Sequence, residues 1–87
     1  EARWQRWLAH DPIHMVTAHR ANLKSMRGIF IDCGWRDQFH IHYGCRQLSR
    51  ELTRHGITHT YEEFDGTHSG IDCRMERSLP FLTRALA

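Results

Sequence analysis

An apolar run bounded by glycines is the feature that most constrains the fold of this chain. Residues 28–34, GIFIDCG, are rich in β-formers and apolar at nearly every position. This pattern is typical of a strand that is buried on both faces, as strands of parallel sheets are. The run therefore predicts a parallel strand, and its partner strand has to follow after a crossover segment.

The residues that follow supply both the crossover and the partner. Residues 40–55 predict an amphipathic helix that ends at Gly56, and its apolar stripe consists of Ile41, Cys45, Leu48 and Leu52. Residues 57–64, ITHTYEEF, alternate in polarity and predict a second strand. A last helix follows, with Ile71, Met75, Leu79, Leu82 and Leu86 in register, and Pro80 is expected to kink or split it. The order is that of a βαβ unit, so the predicted fold class is α/β with two parallel strands and flanking helices.

The first 27 residues predict a helical lead-in to this unit. Trp4 and Trp7 recur at helical spacing, and Asp11-Pro12 has the pattern of an N-cap followed by the first helical residue of a second helix, which extends to about Asn22. We interpret residues 1–87 as one domain, with a helical lead-in over 1–27 and strand–helix–strand–helix over 28–87. The chain begins at Glu1, which suggests an excised segment, a processed product or the end of a longer chain.

Charge and composition exclude several classes of partner. The formal net charge is +2, and the arginines are dispersed among glutamates and aspartates without forming a basic run, so we expect no nucleic-acid partner. No apolar run is long enough to cross a membrane, and we expect no membrane partner. The three cysteines, Cys33, Cys45 and Cys73, lack a C-x-x-C spacing, which favours reduced thiols and a cytoplasmic location.

Two polar residues follow the two predicted strands. Asp37 comes shortly after the first strand and His68 shortly after the second. In a parallel sheet both loops lie at the carboxyl edge, where catalytic groups gather. An aspartate that accepts a hydrogen bond from a histidine ring fixes the tautomer of that histidine and stabilises the imidazolium, while the other ring nitrogen accepts a proton. The two positions are therefore candidates for an acid–base pair, although an aspartate and a histidine in loops are more often a cap, a turn residue or a solvated surface group.

Four motifs then resemble one family. The W-x-x-W-L-x-x-D-P lead-in, the D-x-G-x-x-D-x-F loop, the G-x-R-x-L-x-x-E-L helix and the Y-x-E-F-x-G-x-H-S loop closely resemble, in order, the C-terminal end of the esterase D-like esterases of the α/β-hydrolase superfamily. The resemblance covers essentially the whole chain. It implies a partial α/β-hydrolase fold, a carboxylesterase-type serine hydrolase, a small ester substrate and no cofactor. In the triad order Ser, acid, His, it makes Asp37 the acid and His68 the general base.

The chain departs from this family at the nucleophile. No G-x-S-x-G occurs, so GTHSG at 66–70 is interpreted as the histidine loop. Candidate nucleophiles within the chain are Ser69, Cys33, Cys45 or water activated by His68, although both cysteines are expected in the core and Ser69 is expected to cap the last helix or bond the loop backbone. Asp32 is the competing acid, disfavoured because it lies within the strand.

Two alternatives stay open beside the esterase. The first is a histidine-rich metal-binding module, in which His40 and His42 join His59 or Asp37 as ligands, although His42 fits the helix surface equally well. The second is a non-catalytic fragment that oligomerises through its unpaired strand edges and apolar stripes.

The two predicted strands are too few to form a stable hydrolase sheet by themselves. We therefore expect completion by self-association as a homo-oligomer or by a missing N-terminal hydrolase segment.

Overall fold

A computed structural model describes all of residues 1–87 and shows a small mixed α/β architecture. Its elements are α1 (Ala2–Leu8), α2 (Pro12–Ala18), α3 (Arg20–Lys24), β1 (Phe30–Gly34), α4 (Ile41–Arg54), β2 (Thr60–Phe64), a 3₁₀ helix (Ile71–Arg74) and α5 (Met75–Leu86). The strands form a two-stranded parallel sheet, with Phe30 opposite Thr60 and Gly34 opposite Phe64. The predicted parallel βαβ unit is confirmed, and both strands end at the same edge of the sheet.

Both strands are shorter than the sequence predicts. β1 starts at Phe30 instead of 28, and β2 starts at Thr60 instead of 57. Ile57 is buried in the core, and its N–H donates to the Leu52 carbonyl at 2.9 Å, which closes the end of α4. Gly56 makes this return possible because it adopts φ +70°, a left-handed conformation that glycine tolerates. The residues before β2 therefore anchor the helix end and do not extend the strand.

The helical lead-in is more broken than predicted. Asp11 caps α2 as expected, since its Oδ1 accepts the Ile13 N–H at 2.9 Å. The predicted single helix to Asn22 is interrupted at His19, where α2 ends and α3 begins. In α1, Trp4 and Trp7 are exposed, so the predicted apolar face of that helix has no partner within the chain.

The core is small and lies between α2, α4 and the segment before β2. Val16, Leu52 and Ile57 are its buried centre, with Leu23, Ile29, Ile31 and Leu48 packed around them. Along α4, Leu52, Leu48 and Cys45 face inward as predicted, whereas Ile41 is exposed.

The burial of His42 corrects the interpretation of that residue as a surface position. The residue is 5% exposed, its ring lies 4.2 Å from the Tyr43 ring, and its Nδ1 has no hydrogen-bond partner. In the first turn of α4, the rings of His42 and Tyr43 therefore lie side by side, outside the apolar stripe of that helix.

A cluster of charges fixes the C-terminal helices to the sheet. Asp32 and Glu62 are direct neighbours across the strands. Their like charges would repel each other, but the Arg74 guanidinium donates to Asp32 at 2.9 Å and to Glu62 at 2.8 Å. It also lies 4.4 Å from the centre of the Phe64 ring. Arg74 thus links the 3₁₀ helix to both strands.

Helix α5 runs through Pro80 without being split. The expected split is wrong because each half of the helix has its own attachment to the sheet. Arg77 pairs with Glu62 on one side of the proline, and Phe81 packs on Phe30 at 5.3 Å on the other side. These attachments offset the backbone hydrogen bond that proline cannot donate and the crowding of its ring against the preceding turn.

Much apolar surface stays exposed outside this core. Only seven of the 87 residues are buried. The large exposed apolar side chains are Trp4, Trp7, Met26, Trp35, Phe39, Ile41, Tyr43, Ile71, Met75, Leu79, Leu82 and Leu86. None of the helices has both the length and the apolar character that crossing a membrane requires.

The small core makes one leucine critical for stability. We expect Leu52→Ala to lower the free energy of unfolding by about 2–5 kcal/mol, because it removes buried methyl groups and leaves a cavity. Leu79→Ala, at a position 55% exposed on α5, should change it by no more than about 0.5 kcal/mol. Urea unfolding followed by circular dichroism measures both. Equal losses in the two variants would mean that the core is not where the structure places it.

Candidate functional site

The loops that follow β1 and β2 are joined by backbone hydrogen bonds. The Trp35 N–H donates to the Phe64 carbonyl at 2.9 Å, and the Arg36 N–H donates to the Gly66 carbonyl at 3.0 Å. The Arg36 side chain adds an ion pair with Asp65 at 2.6 Å. The parallel sheet therefore continues into a pair of loops held against each other.

Gly34 permits this close approach. A Cβ added at Gly34 would overlap the Gly66 carbonyl oxygen and lie 2.5 Å from its carbonyl carbon. Real Cβ atoms do not approach backbone that closely, so a side chain at position 34 would force the two loops apart. The glycine at the end of β1 thus determines where the second loop lies.

The loops bring Asp37 and His68 together. Asp37 Oδ2 lies 3.1 Å from His68 Nδ1, and the two residues are 31 apart in the chain. The Asp37 side chain is 2% exposed, whereas the His68 side chain is 53% exposed. The geometry is that of a buried carboxylate orienting an accessible imidazole.

Donors surround the Asp37 carboxylate. Oδ1 accepts the Phe39 N–H at 2.7 Å, and Oδ2 accepts from the Cys33 thiol at 3.6 Å as well as from His68. Burial of Asp37 raises its pKa, but the hydrogen bonds from His68 and Phe39 and the charge of His68 outweigh that effect, so the pKa lies below the ordinary value of 3.8. Asp37 is therefore ionised near neutral pH.

The His68 ring is fixed in orientation and open on one side. Because an ionised Asp37 can only accept, His68 Nδ1 carries a hydrogen and Nε2 of the neutral ring is the acceptor. Its backbone N–H donates to Gln38 Oε1 at 3.1 Å, and the Phe39 ring meets the imidazole edge-on at 5.1 Å. Nε2 makes no hydrogen bond within the chain, so it is available to accept a proton.

A cavity of about 160 Å³ adjoins this pair. Its lining includes Cys33, Cys45, Ile41 and Ile71 beside His68. Burial raises the pKa of Cys33 to about 12 and also raises the pKa of Cys45, so both thiols are protonated at neutral pH. Neither cysteine is therefore an activated nucleophile.

The other candidates occupy different surroundings. Ser69 is exposed, its hydroxyl makes no hydrogen bond, and Gly70 holds the N-cap position of the following 3₁₀ helix, so the expected capping role is wrong. The reason is local. Gly70 adopts the left-handed φ of +65° and is itself the N-cap, so the 3₁₀ helix begins at Ile71, one residue later than it would if Ser69 were the cap. Asp32 pairs with Arg74 and forms no hydrogen bond with His68.

The histidines of the metal alternative do not form a ligand set. His40 and His42 have ring centres 6.0 Å apart, but His42 is buried, and His59 bonds to Ser49. No group of three or more His, Cys, Asp or Glu side chains is placed to hold a metal ion.

Sequence reasoning did not find three residues that position this pair. Gln38 and Phe39 contact His68 from the Asp37 loop, and Gly34 sets the distance between the loops. A glycine at the end of a strand is a signal for close backbone approach, so Gly34 could have been identified. Gln38 and Phe39 carry no such signal because their role depends on a contact 30 residues away.

Comparison with protein families and with curated proteins gives no match. The hydrolase resemblance of the motifs therefore stays a prediction, and the geometry of the two loops is the basis for a function.

Replacement of Gly34 tests the close approach of the loops. Gly34→Ala should displace the Gly66 carbonyl and break the Asp37–His68 contact, with loss of the hydrogen-bonded His68 Nδ1 proton signal in the NMR spectrum. Gly44→Ala is the matched control, because a Cβ there meets nothing within 4 Å. It should keep the signal and stabilise α4 by roughly 0.5–1 kcal/mol. A retained signal in Gly34→Ala would contradict the proposed contact.

The lowered pKa of Asp37 predicts a pH-dependent stability. Since its pKa in the folded chain lies below 3.8, the ionised carboxylate stabilises the fold fully above that pH, and the contribution is lost as the pH falls through the folded value. The stability difference between wild type and Asp37→Asn should therefore be largest above pH 3.8 and shrink below it. Urea midpoints across the acid range measure the difference. Asp72→Asn, which removes an exposed carboxylate, is the matched control for the change of charge.

Proposed function

We propose that this chain is the acid- and base-bearing part of an esterase-type α/β-hydrolase domain that cleaves small carboxylic esters without a cofactor. The observation that carries the proposal is the 3.1 Å contact between buried Asp37 and the exposed His68 ring. Ester hydrolysis by a serine-type mechanism needs this pair to activate a hydroxyl. The motif resemblance supports the same roles for the same two residues.

The chemistry proceeds through His68 Nε2. A hydroxyl nucleophile attacks the ester carbonyl carbon as Nε2 accepts its proton, and the ionised Asp37 stabilises the imidazolium that forms. The proton then passes to the departing alkoxide, and water repeats the sequence on the acyl intermediate. Asp37 does not take the proton itself, which agrees with a carboxylate whose pKa is held low by its donors.

The nucleophile belongs to another segment in this proposal. Cys33 and Cys45 are protonated, and the Ser69 hydroxyl bonds to neither ring nitrogen of the adjacent histidine. A missing N-terminal hydrolase segment or a second copy of the chain would supply the serine and the oxyanion hole.

Surface features favour such completion. Each strand has one unpaired edge, and an apolar groove of about 460 Å³ lies between α2, α3, β1 and α4. Unpaired strand edges and apolar grooves of this kind are covered in stable α/β proteins. Ile31 of β1 lines the groove, so a segment that covered the groove would also contact the sheet.

The proposal is tested by ester turnover in matched histidine variants. Turnover of p-nitrophenyl acetate, measured on the same chromatographic peak as the mass by light scattering, should fall at least about tenfold in His68→Ala, since a general base contributes about 10²–10⁴-fold. Asp37→Asn should lose part of the rate. His10→Ala removes an exposed imidazole from α1 and should stay within about twofold of wild type. Equal rates in the two histidine variants would mean that the turnover does not depend on His68 and would contradict the esterase proposal.

A non-catalytic oligomerising fragment is the second candidate. The specific observation that favours it is the stripe of exposed apolar residues on α5, formed by Met75, Leu79, Leu82 and Leu86. Their 4-3-4 spacing suits packing against another helix. An oligomer by light scattering whose turnover does not depend on His68 would support this candidate over the esterase.

A further inference from the structure

A serine and a second histidine form a close pair away from the proposed site. Ser49 Oγ on α4 lies 2.7 Å from His59 Nε2, in the segment before β2. His59 Nδ1 lies 3.0 Å from the Ile57 carbonyl oxygen. Both side chains are partly buried, so they are held in place yet remain reachable from solvent.

The Ile57 carbonyl determines which nitrogen of His59 is the base. A carbonyl oxygen only accepts, so Nδ1 carries the hydrogen and Nε2 of the neutral ring presents its lone pair to the Ser49 hydroxyl. The serine therefore donates its proton to the imidazole. This is the arrangement in which a hydroxyl is activated for attack: nucleophile and base within about 2.6–3.2 Å, and the base oriented by a third group.

Other hydroxyls in the chain lack this arrangement. Ser25 donates to the Asn22 carbonyl, and Ser69 has no base bonded to its hydroxyl. Thr17 does meet a histidine, His55, at 3.0 Å, but that Nε2 is also 3.2 Å from the Arg54 guanidinium. Because Arg54 can only donate, it competes for the lone pair that would accept the threonine proton.

The pair lies at the opposite end of β2 from His68. His59 directly precedes the strand, and His68 follows it. Five strand residues rise about 3.3 Å each, so roughly 16 Å separates the two ends. Ser49 is thus too far away to serve as the nucleophile for His68, and its chemistry does not depend on the proposed esterase site.

We propose that Ser49 and His59 form a second nucleophile–base pair that accepts an acyl or phosphonyl group from an activated ester or its analogue. Ser49 Oγ bonds to the electrophilic carbon or phosphorus as His59 Nε2 takes the hydroxyl proton. The bond to the leaving group then breaks. An alkoxide leaves with the proton from His59, or a fluoride ion leaves and the proton passes to solvent.

A fluorophosphonate reagent tests the proposal on the unmodified chain. We expect the intact mass to rise by one phosphonyl group, and peptide mapping should place it on Ser49. The label should be absent in Ser49→Ala and in wild type denatured by urea, where the pair is disrupted. His68→Ala should label at the wild-type rate, so the outcome is independent of the esterase proposal.

The role of His59 is tested by His59→Gln, which should label at least about tenfold more slowly, as expected when a general base is lost. Failure of folded wild type to label, a label on another serine, or equal rates in wild type and a folded His59→Gln would overturn the proposal. The wild-type mapping decides the matter even if the histidine variant does not fold.

Discussion

The contact of Gly34 with the Gly66 carbonyl is the constraint on which the arrangement of the site depends. Parallel pairing brings the ends of both strands to one edge, but pairing alone leaves two loops that could diverge. Without a Cβ at position 34, the second loop lies directly on the first, and the backbone hydrogen bonds of Trp35 and Arg36 hold it there. Asp37 and His68 then meet because each is only a few residues beyond this point. Backbone sterics therefore bring Asp37 and His68 within reach of each other before their side chains attract one another.

A single arginine has a comparable influence on how the C-terminal helices attach to the sheet. Two carboxylates, Asp32 and Glu62, are opposite one another on adjacent strands, an arrangement that opposes pairing unless a cation is shared. Arg74 supplies that cation from the 3₁₀ helix and covers the Phe64 ring. The ion pairs are only partly exposed, so they are screened less than surface pairs. The apolar core of this chain is small. The ion pairs of Arg74 and Arg77 with the strand carboxylates therefore contribute to holding α5 against the sheet.

The features that sequence reasoning recovered are those that local pattern controls. The largely apolar run at 28–34 and the apolar helical stripe at 41–52 predict the parallel βαβ unit, and the strand ends predict where Asp37 and His68 lie. The errors arise where a distant contact competes with local preference. Ile57 has a strand-former's side chain but closes α4, and Pro80 stays within one helix because Phe81 and Arg77 fix both halves. His42 is polar, yet it is buried, with its ring beside that of Tyr43. Ser49 and His59 offered no motif, since their pairing depends on how the chain returns after Gly56.

His68 and His59 lie at opposite ends of β2, and different groups orient their rings. The orienting group decides how well each ring can carry a positive charge during proton transfer. His68 faces a full negative charge on Asp37, which can stabilise an imidazolium through repeated turnover. His59 faces the carbonyl of Ile57, a dipole that fixes the tautomer but offers much weaker compensation for a positive charge. His59 has its hydroxyl partner in place, whereas His68 has none within the chain. The two proposals therefore divide the requirements of a serine hydrolase: the histidine oriented by a carboxylate lacks a nucleophile, and the histidine that has a hydroxyl partner is oriented only by a carbonyl. The two proposals taken together therefore predict single acyl or phosphonyl transfer at Ser49, and sustained turnover only where another segment brings a hydroxyl to His68.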